Sequence, residues 1–278
     1  MASEDAKARA SLLAADPQWL AFVARVRAIA DVDLSSYKPE QMHRRLRSLM
    51  GRMGAANWAQ FSRILEGDEQ RLKEFKDFFT INVSEFFRGT EKFLYLQDVL
   101  LPELAETRRN LSVWSAGCSV GAEPYTLAMI ADKLGLSSRT TVLATDIDAT
   151  VLARAASGDG YADAEVREMP SDYLDRYMTR TAGGWEVKPA IRARVRFSAH
   201  NLLKDPYPPR TDLIVCRNVV IYFTDEAKNH IYTGFFNSLT SGGYLFVGGT
   251  EIVARAREIG FDSPKVYFYR RPVRPGGA

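Results

Sequence analysis

The sequence of 278 residues contains few of the residue types that build disulfide and metal sites. Its two cysteines, Cys118 and Cys216, lie almost a hundred positions apart and lack CxxC spacing. Neither a disulfide framework nor a structural zinc site is therefore predicted, and a reducing cytoplasm fits this usage. The three histidines, His43, His200 and His230, have no acidic or cysteine cluster at ligand spacing, so we expect no metal site.

Long apolar runs and a strong charge imbalance are also missing. No stretch approaches the roughly 18 apolar residues of a membrane span, and residues 1–16 carry charges where a secretory signal has an apolar core. We expect that segment to be flexible. The net charge of +3 is too small to indicate a partner. Residues 38–63, however, contain six cations and one anion, so this stretch carries +5 and the rest of the chain −2.

The spacing of apolar residues changes near residue 111. Before it, they recur three and four positions apart, which predicts a small all-helical N-terminal domain over 17–90. After it, short β-rich runs alternate with helical stretches, which is typical of an α/β fold with a mainly parallel sheet. We assign 91–270 to this Rossmann-like α/β domain and expect 271–278 to be a disordered tail.

Individual elements are predicted from the same patterns. In the first domain the predicted helices are 18–30, 41–53, 57–65 and 70–79. In the second, strands are predicted at Leu111–Ser115, Thr140–Thr145, Val195–Ser198, Asp212–Cys216, Tyr244–Gly248 and Lys265–Arg270, with helices at 121–134, 148–156 and 225–239. The gap 157–193 is too long for a simple crossover and contains the hairpin-turn pattern TAGGW at 181–185, so we interpret it as a small inserted β-subdomain.

A glycine-containing loop follows the first predicted strand. Residues 115–125 are SAGCSVGAEPY, and a helical run comes next. Such a loop lets a ligand approach the backbone closely, at the place where open α/β sheets bind nucleosides. The third glycine of the dinucleotide fingerprint is missing and no Gly-Lys-Ser/Thr follows, which disfavours NAD and a phosphate-binding P-loop. The loop therefore predicts a nucleoside without a pyrophosphate.

Two acidic residues accompany this loop. Asp146 ends the second predicted strand, 25 residues after Gly121, and a carboxylate at that position usually holds a ribose diol. The alternative is that Asp146 caps the helix predicted at 148–156. Glu123 lies in the first turn of its predicted helix, where an acid also complements the helix dipole.

Four blocks, in this order and spacing, resemble the CheR chemotaxis receptor methyltransferases. They are FTINVSEFFR at 79–88, AGCSVGAEPY at 116–125, ATDID at 144–148 and CRNVVIYF at 216–223. The resemblance covers about residues 17 to 270. It implies a cytoplasmic enzyme, recruited to membrane receptor arrays, that uses S-adenosyl-L-methionine and releases S-adenosyl-L-homocysteine. The implied products are γ-methyl esters of glutamates in the cytoplasmic helical region of methyl-accepting chemoreceptors.

The resemblance also implies which residues contact the cofactor. The family block Asn-x-Thr-x-x-x-Arg falls on Asn82, Ser84 and Arg88, with serine in place of threonine. Tyr222 matches a family tyrosine that follows an asparagine, here Asn218, by four residues. The remaining cofactor positions are Gly117 of the glycine loop, Glu123, Asp146, the pair Asn201 and Leu202 beside the adenine, and the pair Arg217 and Asn218.

The implied chemistry fits these residue types. An acceptor glutamate, with a reference pKa of about 4.3, is already ionised near neutral pH, so no general base is required. Attack of a carboxylate on a sulfonium methyl group removes two opposite charges, so the site should exclude water and fix the angle of attack. A guanidinium holds a carboxylate with two parallel hydrogen bonds. We therefore assign Arg88 and Tyr222 to orienting the reactants and not to proton transfer.

The basic stretch has more than one interpretation. Arg44, Arg45, Arg47 and Arg52 spread over the side of a predicted helix opposite its apolar face. A nucleic-acid methyltransferase would use such a face on phosphates, but aromatic residues are not interleaved with it, so we expect no nucleic-acid partner. We expect instead that Arg44, Arg45 and Arg47 bind an acidic, helical receptor segment. A solvated amphipathic face is the alternative.

Two further alternatives concern catalysis and recruitment. A non-catalytic signalling protein that only binds S-adenosylmethionine would be favoured if Arg88 or Tyr222 were absent, and both are present. In the resembling family the inserted subdomain can add a receptor C-terminal peptide as an extra strand. Here Ala182-Gly183-Gly184 leads straight into Trp185, a turn that looks shorter than in family members known for tethering. We therefore expect no dependence on a receptor C-terminal pentapeptide tether.

Overall fold

Two structural units make up the described part of the chain in the computed structural model, residues 16–79 and 84–273. The first unit comprises the described residues up to 79 together with the segment 222–228, and the second comprises 84–221 and 229–273. Within the described residues, no helix is both long enough and apolar enough to span a bilayer.

The first unit is helical, as predicted. Asp16 and Asn57 begin two of its helices by accepting hydrogen bonds from the backbone N–H of Gln18 and Gln60, and Pro39 begins another. The helices are α1 (Pro17–Ala30), α2 (Pro39–Arg52), α3 (Trp58–Gly67) and α4 (Glu69–Phe79). Their apolar faces enclose an aromatic-rich core that includes Trp19, Phe22, Trp58, Phe61 and Phe75.

The second unit is an α/β domain, which confirms the predicted fold class. In chain order its elements are α5 (Thr90–Tyr95), α6 (Leu101–Thr107), β1 (Leu111–Ala116), α7 (Ala122–Lys133), β2 (Thr140–Asp146), α8 (Ala149–Ser157), α9 (Asp163–Val166), α10 (Ser171–Tyr177), β3 (Met178–Thr181), β4 (Gly184–Val187), α11 (Pro189–Arg192), β5 (Val195–Ala199), β6 (Thr211–Cys216), α12 (Asp225–Ser238), β7 (Leu239–Val247), α13 (Ala256–Ile259), β8 (Asp262–Lys265) and β9 (Phe268–Arg270). The first turn of α12, residues 225–228, belongs to the first unit. The main sheet has the order β5-β2-β1-β6-β7-β9-β8. Strands β5, β2, β1, β6 and β7 are parallel, and β9 is antiparallel to β7 and β8.

The last strands differ from the prediction. A single strand over Lys265–Arg270 was wrong, because the chain reverses between β8 and β9, where Tyr267 has a left-handed φ of 73°. Strand β7 also begins at Leu239 and not at Tyr244. Gly242 and Gly243 lie within this strand. Glycine weakens a strand and is common in turns, so the local sequence did not predict the first part of β7.

The parallel strands bring several loops to one edge of the sheet. The carboxyl ends of parallel strands lie on the same side, and open α/β sheets bind ligands there. Five segments reach this edge, which we call the carboxyl edge: the glycine loop 117–121 after β1, Asp146 at the end of β2, residues 200–202 after β5, residues 217–220 after β6 and residues 248–251 after β7.

The inserted segment contains the predicted hairpin. Strands β3 and β4 are antiparallel, with Thr181 opposite Gly184, so two residues form the turn. The short helices α9, α10 and α11 flank the hairpin. Buried residues of the segment, among them Tyr161, Tyr173 and Val187, belong to the same hydrophobic core as the main sheet. The insertion is therefore packed onto the α/β core.

The predicted flexible terminus 1–16 and the predicted tail 271–278 lie largely outside the described residues. At the described inner end of the tail, the backbone of Arg271 pairs with the strand-β7 glycines. Its N–H donates to the Gly243 carbonyl at 2.9 Å, and its carbonyl accepts from the Gly242 N–H at 2.9 Å.

Candidate functional site

The glycine loop after β1 is packed too closely for side chains at two positions. Gly117 and Gly121 have φ values of 84° and 91°. A Cβ on Gly117 would lie 2.4 Å from a methyl group of Val219, and one on Gly121 would lie 3.1 Å from the Cβ of Ala155. Ser119, between them, is also left-handed, with φ 49°. The loop backbone therefore packs directly against neighbouring segments, and any larger residue at Gly117 would displace the segment after β6.

Asp146 faces this loop. Its carboxylate accepts hydrogen bonds from the Ser119 N–H at 2.8 Å and the Asp148 N–H at 3.1 Å. The helix-cap alternative for Asp146 is wrong, because Asp148 caps α8 by accepting from the N–H groups of Thr150 and Val151. Burial raises the pKa of Asp146, and the backbone hydrogen bonds oppose that change. Asp146 is thus a half-buried acid beside the nucleoside-type loop.

Glu123 lies in a small buried charge cluster. It is 9% exposed, accepts a 2.7 Å hydrogen bond from the Ser115 hydroxyl, and lies 3.9 Å from Nη1 of Arg217. Burial raises its pKa to about 7, while Arg217, Ser115 and, more weakly, Arg88 lower it. The guanidinium of Arg88 is therefore within electrostatic reach of the Glu123 carboxylate.

The raised pKa of Glu123 predicts a pH-dependent stability. The folded carboxyl binds a proton that the unfolded chain releases, so its contribution to the free energy of unfolding is present below pH 4.5 and lost as pH rises through about 7. Over that interval the loss is about 3 kcal/mol. We expect Glu123→Gln to remove this loss. Urea unfolding at pH 5 and pH 8 measures it, with Glu106→Gln, at an exposed helical site, as control; equal pH dependence in wild type and Glu123→Gln would contradict the assignment.

Arg217 holds the Arg88 backbone in place. Its Nη2 donates to the Arg88 carbonyl at 2.6 Å, and its guanidinium carbon lies 5.0 and 4.8 Å from the ring centroids of Phe93 and Phe246. Nε of Arg217 is buried without a hydrogen-bond partner among the described residues. Arg217 was predicted to contact the cofactor, which stays a prediction; its observed hydrogen bond supports the backbone of Arg88.

The segment around Arg88 has two further anchors. The N–H of Phe87, a left-handed residue with φ 54°, donates to the Thr126 hydroxyl at 3.2 Å. The N–H of Gly89 donates to the Glu168 carboxylate at 2.6 Å. Both bonds use backbone atoms and leave the Arg88 side chain unconstrained by them. Of the other two positions predicted in this block, Ser84 is half-buried and Asn82 lies outside the described residues.

The predicted adenine pair follows β5. Asn201 closes a turn, in which its side-chain oxygen accepts from the Leu203 N–H at 2.9 Å. The carbonyl of the buried Leu202 accepts from the Tyr207 hydroxyl at 2.7 Å. One residue earlier, the His200 N–H donates to the Asp146 carbonyl at 2.9 Å, so this turn and the Asp146 strand end are adjacent.

Glu251 was not identified from the sequence. This buried carboxylate accepts hydrogen bonds from four backbone N–H groups. Two of its donors, Asn218 and Gly248, lie in different loops. The available sequence signal was an acid following Gly248-Gly249 just after a buried strand, but nothing local indicated its partners.

In the first unit, Tyr222 and Arg45 are neighbours. The Tyr222 carbonyl accepts from the Lys38 N–H at 2.9 Å. Burial lowers the pKa of Arg45, while Tyr222 raises it. Arg45 also donates to the Phe78 carbonyl at 2.6 Å. Arg45 is half-buried, and its role in substrate binding stays a prediction.

Arg44 and Arg47, by contrast, are exposed. Within one helix the two side chains at 44 and 47 are three positions apart and share a face. Arg45, at the next position, points toward α4, where it bonds to the Phe78 carbonyl. A count of charges along the sequence does not distinguish this half-buried arginine from its exposed neighbours. Arg44, Arg47 and Arg52 are thus the exposed arginines of α2, and Arg52, like Arg45, places its guanidinium over the Phe78 ring, 4.6 Å from the centroid.

The carboxyl edge of the sheet fits a nucleoside cofactor. The Ser119 hydroxyl is buried without a hydrogen-bond partner among the described residues, so the glycine loop carries an unsatisfied polar group. Ser119 lies in the same loop as Gly117, where the packing leaves no room for a side chain. The Ser119 N–H donates to the Asp146 carboxylate. Among 16–79 and 84–273, no group of three or more His, Cys, Asp and Glu residues is arranged to hold a metal.

Both units match models of one protein family. Residues 82–265 match the model of the CheR methyltransferase, SAM binding domain, and residues 17–80 match that of the CheR methyltransferase, all-alpha domain. A chemotaxis protein methyltransferase of Listeria monocytogenes is 36% identical over 91% of this chain and 97% of its own. Chemotaxis protein methyltransferase 1 of Pseudomonas aeruginosa is 37% identical, over 78% of this chain and 84% of its own.

A further relative and one solved structure also match. The chemotaxis protein methyltransferase of Escherichia coli is 34% identical over 80% of this chain and 79% of its own. Among solved structures, StiE O-MT matches at 15% identity with a TM-score of 0.35, over 56% of this chain and 41% of that one. The two family matches together cover both units and include the S-adenosylmethionine-binding domain. The chain belongs to the CheR methyltransferase family.

Proposed function

We propose that this S-adenosylmethionine-dependent methyltransferase converts glutamate side-chain carboxylates of chemoreceptors into γ-glutamyl methyl esters, which serve adaptation in chemotaxis. The observation that carries the proposal is the support of Arg88. Arg217, Thr126 and Glu168 hold the backbone of residues 87–89, so a guanidinium suited to a carboxylate is presented on a fixed backbone. The relatives' names, chemotaxis protein methyltransferases, support the same pathway.

The reaction needs orientation more than proton transfer. Bound S-adenosylmethionine supplies a methyl group on a sulfonium cation. The acceptor carboxylate is ionised near neutral pH, so we assign Arg88 and Tyr222 to orienting it. Burial raises the pKa of the Cys118 and Cys216 thiols well above the usual value, and a protonated thiol is a poor nucleophile. These residues therefore favour direct transfer to the acceptor over a methylated cysteine.

We propose that the acceptor is the helical cytoplasmic region of methyl-accepting receptors and that the enzyme acts in the cytoplasm at receptor arrays. Both cysteines are free and buried, in keeping with a reducing compartment. The exposed residues Arg44, Arg47 and Arg52 provide positive charge for an acidic helical segment.

A labelling experiment tests the reaction. The protein is incubated with methyl-labelled S-adenosylmethionine and a purified receptor cytoplasmic fragment, and the labelled fragment is then treated with alkali. We expect label on the fragment that alkali releases as methanol, because esters hydrolyse in base and N-methyl groups do not. Alkali-stable label on the fragment, or label transferred to RNA in a parallel reaction, would contradict the proposal.

The basic face gives a prediction about substrate docking. We expect Arg44→Glu combined with Arg47→Glu to lower kcat/KM for the receptor fragment roughly tenfold at low salt, a change of about 1.4 kcal/mol. Both side chains are exposed, so the fold should persist. Calorimetry should give an unchanged affinity for S-adenosylhomocysteine.

The control for this experiment is Lys73→Glu, which reverses an exposed charge on α4 outside the basic stretch. We expect it to leave methylation near the wild-type rate. Because salt screens exposed charges, the effect of the double variant should shrink at high ionic strength. Equal rates for wild type and the double variant at low salt would remove the basic face from the proposal.

The inserted hairpin gives a prediction about recruitment. Strand β4 is already paired on both sides at Trp185, since its backbone exchanges hydrogen bonds of 2.8 and 3.0 Å with Tyr161 and it lies opposite Arg180 of β3. We propose that the enzyme does not depend on a C-terminal pentapeptide tether. Titration with the peptide Asn-Trp-Glu-Thr-Phe should show no saturable binding at micromolar concentrations, and low-micromolar affinity would reverse this proposal.

A further inference from the structure

Glu251 connects the loops after β6 and β7. Its Oε2 accepts from the N–H groups of Asn218 and Gly248, both at 2.7 Å, and its Oε1 accepts from those of Val219 and Val220, both at 3.1 Å. The residue is 3% exposed. A carboxylate has about four lone-pair positions, so backbone donors occupy the full accepting capacity of Glu251.

Three of these donors are consecutive in the sequence. Asn218 has a left-handed φ of 61°, an uncommon value for a residue other than glycine. This conformation turns the N–H groups of 218, 219 and 220 toward one point, the arrangement that forms an anion-binding nest. Hydrogen bonds to an ionised acceptor are about twice as strong as neutral ones. The Glu251 carboxylate is therefore a strong stabiliser of the conformation at 218–220.

Glu251 holds the segment after β6, which carries predicted functional residues. Asn218 is a proposed cofactor contact, and Val219 packs against Gly117 of the glycine loop. Val220 begins the 3₁₀ turn Val220–Tyr222, so Tyr222 is the last residue of this turn. A single buried side chain thus determines the backbone from the cofactor position Asn218 to the start of that turn.

We infer that Glu251 is a positioning residue, which sets the backbone of 218–220 and through it the cofactor contact of Asn218. This inference rests on the proposed role of Asn218 in holding S-adenosylmethionine. Glu251 itself is proposed to contact neither cofactor nor substrate.

The first test compares Glu251→Gln with Asp212→Asn. Asp212 is a matched control, because it is 4% exposed and accepts from Arg108, Thr240 and the Ser112 N–H near the opposite end of β6. A glutamine amide places a donor against backbone N–H donors. We expect Glu251→Gln to raise the Kd for S-adenosylhomocysteine about tenfold or more, measured by calorimetry on protein shown to be folded by circular dichroism.

Both variants should lose thermal stability, and only Glu251→Gln should lose cofactor affinity. A merely structural role predicts that the two variants behave alike. Wild-type affinity in folded Glu251→Gln, or an equal loss in Asp212→Asn, would therefore overturn the inference.

A second pair keeps the test decisive if Glu251→Gln does not fold. A Cβ on Gly248 would lie 2.4 Å from Oε2 of Glu251 and 3.0 Å from the Asn218 N–H nitrogen, whereas one on Gly249 would meet nothing within 4 Å. Gly248→Ala displaces the carboxylate and keeps its charge. We expect Gly248→Ala to weaken S-adenosylhomocysteine binding about tenfold or more and Gly249→Ala to leave it unchanged; equal affinities would contradict the inference.

The binding readout separates this inference from the proposed reaction. If the wild-type protein methylates no receptor fragment yet Gly248→Ala and Glu251→Gln still lose affinity for S-adenosylhomocysteine, the substrate assignment fails and the role of Glu251 stands. If methylation proceeds and affinity is unaffected in both variants, the role of Glu251 fails alone.

Discussion

Arg88→Ala is expected to reduce kcat/KM for a receptor fragment by about a hundredfold or more. Loss of two charge-assisted hydrogen bonds to a carboxylate costs about 3 kcal/mol, and each 1.4 kcal/mol is a factor of ten. The fold should persist, because the bond from Arg217 goes to the Arg88 backbone carbonyl and survives the substitution. Initial rates with labelled S-adenosylmethionine measure the effect.

Two comparisons sharpen this result. Arg88→Lys keeps the charge but not the fork, so it should recover only part of the rate. Arg109→Ala, at an exposed position, should be indistinguishable from wild type. Tyr222→Phe should also lower turnover and keep the fold, because the bond to the Lys38 N–H uses the Tyr222 backbone. Normal methyl transfer by Arg88→Ala and Tyr222→Phe would refute the catalytic assignment; reduced melting temperature with normal turnover would assign both residues to structure.

Asp146→Ala is expected to weaken S-adenosylhomocysteine binding tenfold or more, a loss of about 1.5 to 3 kcal/mol. The carboxylate is a half-buried acceptor beside the glycine loop, and a ribose diol donates two hydrogen bonds to such a group. Asp146→Asn, which retains the volume, should show a smaller loss of the same kind. Calorimetry gives both values.

The neighbouring acid supplies the control. Asp148→Asn leaves a good helix cap, since asparagine is preferred at that position, and α8 should keep its start. We expect cofactor affinity close to wild type in this variant. An unchanged affinity in Asp146→Ala would refute the ribose assignment, and a loss in Asp148→Asn equal to that in Asp146→Ala would mean that the whole turn matters and the individual carboxylate does not.

Features that depend on neighbours in the sequence were predictable. Helix and strand assignments follow from the spacing of apolar residues, and the strand-tip position of Asp146 follows from where a buried run ends. The hairpin at 181–185 follows from its glycines, which allow a two-residue turn. In each case the physical cause acts within a few residues, so the local sequence contains it.

Features that depend on strand order were not predictable. Glu251 meets Asn218 only because β6 and β7 are adjacent in the sheet, which brings together residues 33 positions apart. The return of 222–228 to the first unit is likewise a long-range arrangement, seen in the bridge between Tyr37 and Phe223. No periodicity of either segment encodes its partner.

The fate of individual charges was also decided by tertiary packing. Arg45 and Arg47 are both arginines of one basic stretch, yet Arg45 donates to the Phe78 carbonyl and is half-buried while Arg47 is exposed. Packing also sets the pKa of Glu123. Burial destabilises its charged form more than Arg217 and Ser115 stabilise it, so the pKa rises to about 7. The sequence by itself determined the α/β framework, the glycine loop and the family. Only the tertiary structure decided which acids and arginines are buried and what they hold, because desolvation and long-range hydrogen bonds arise when distant segments pack.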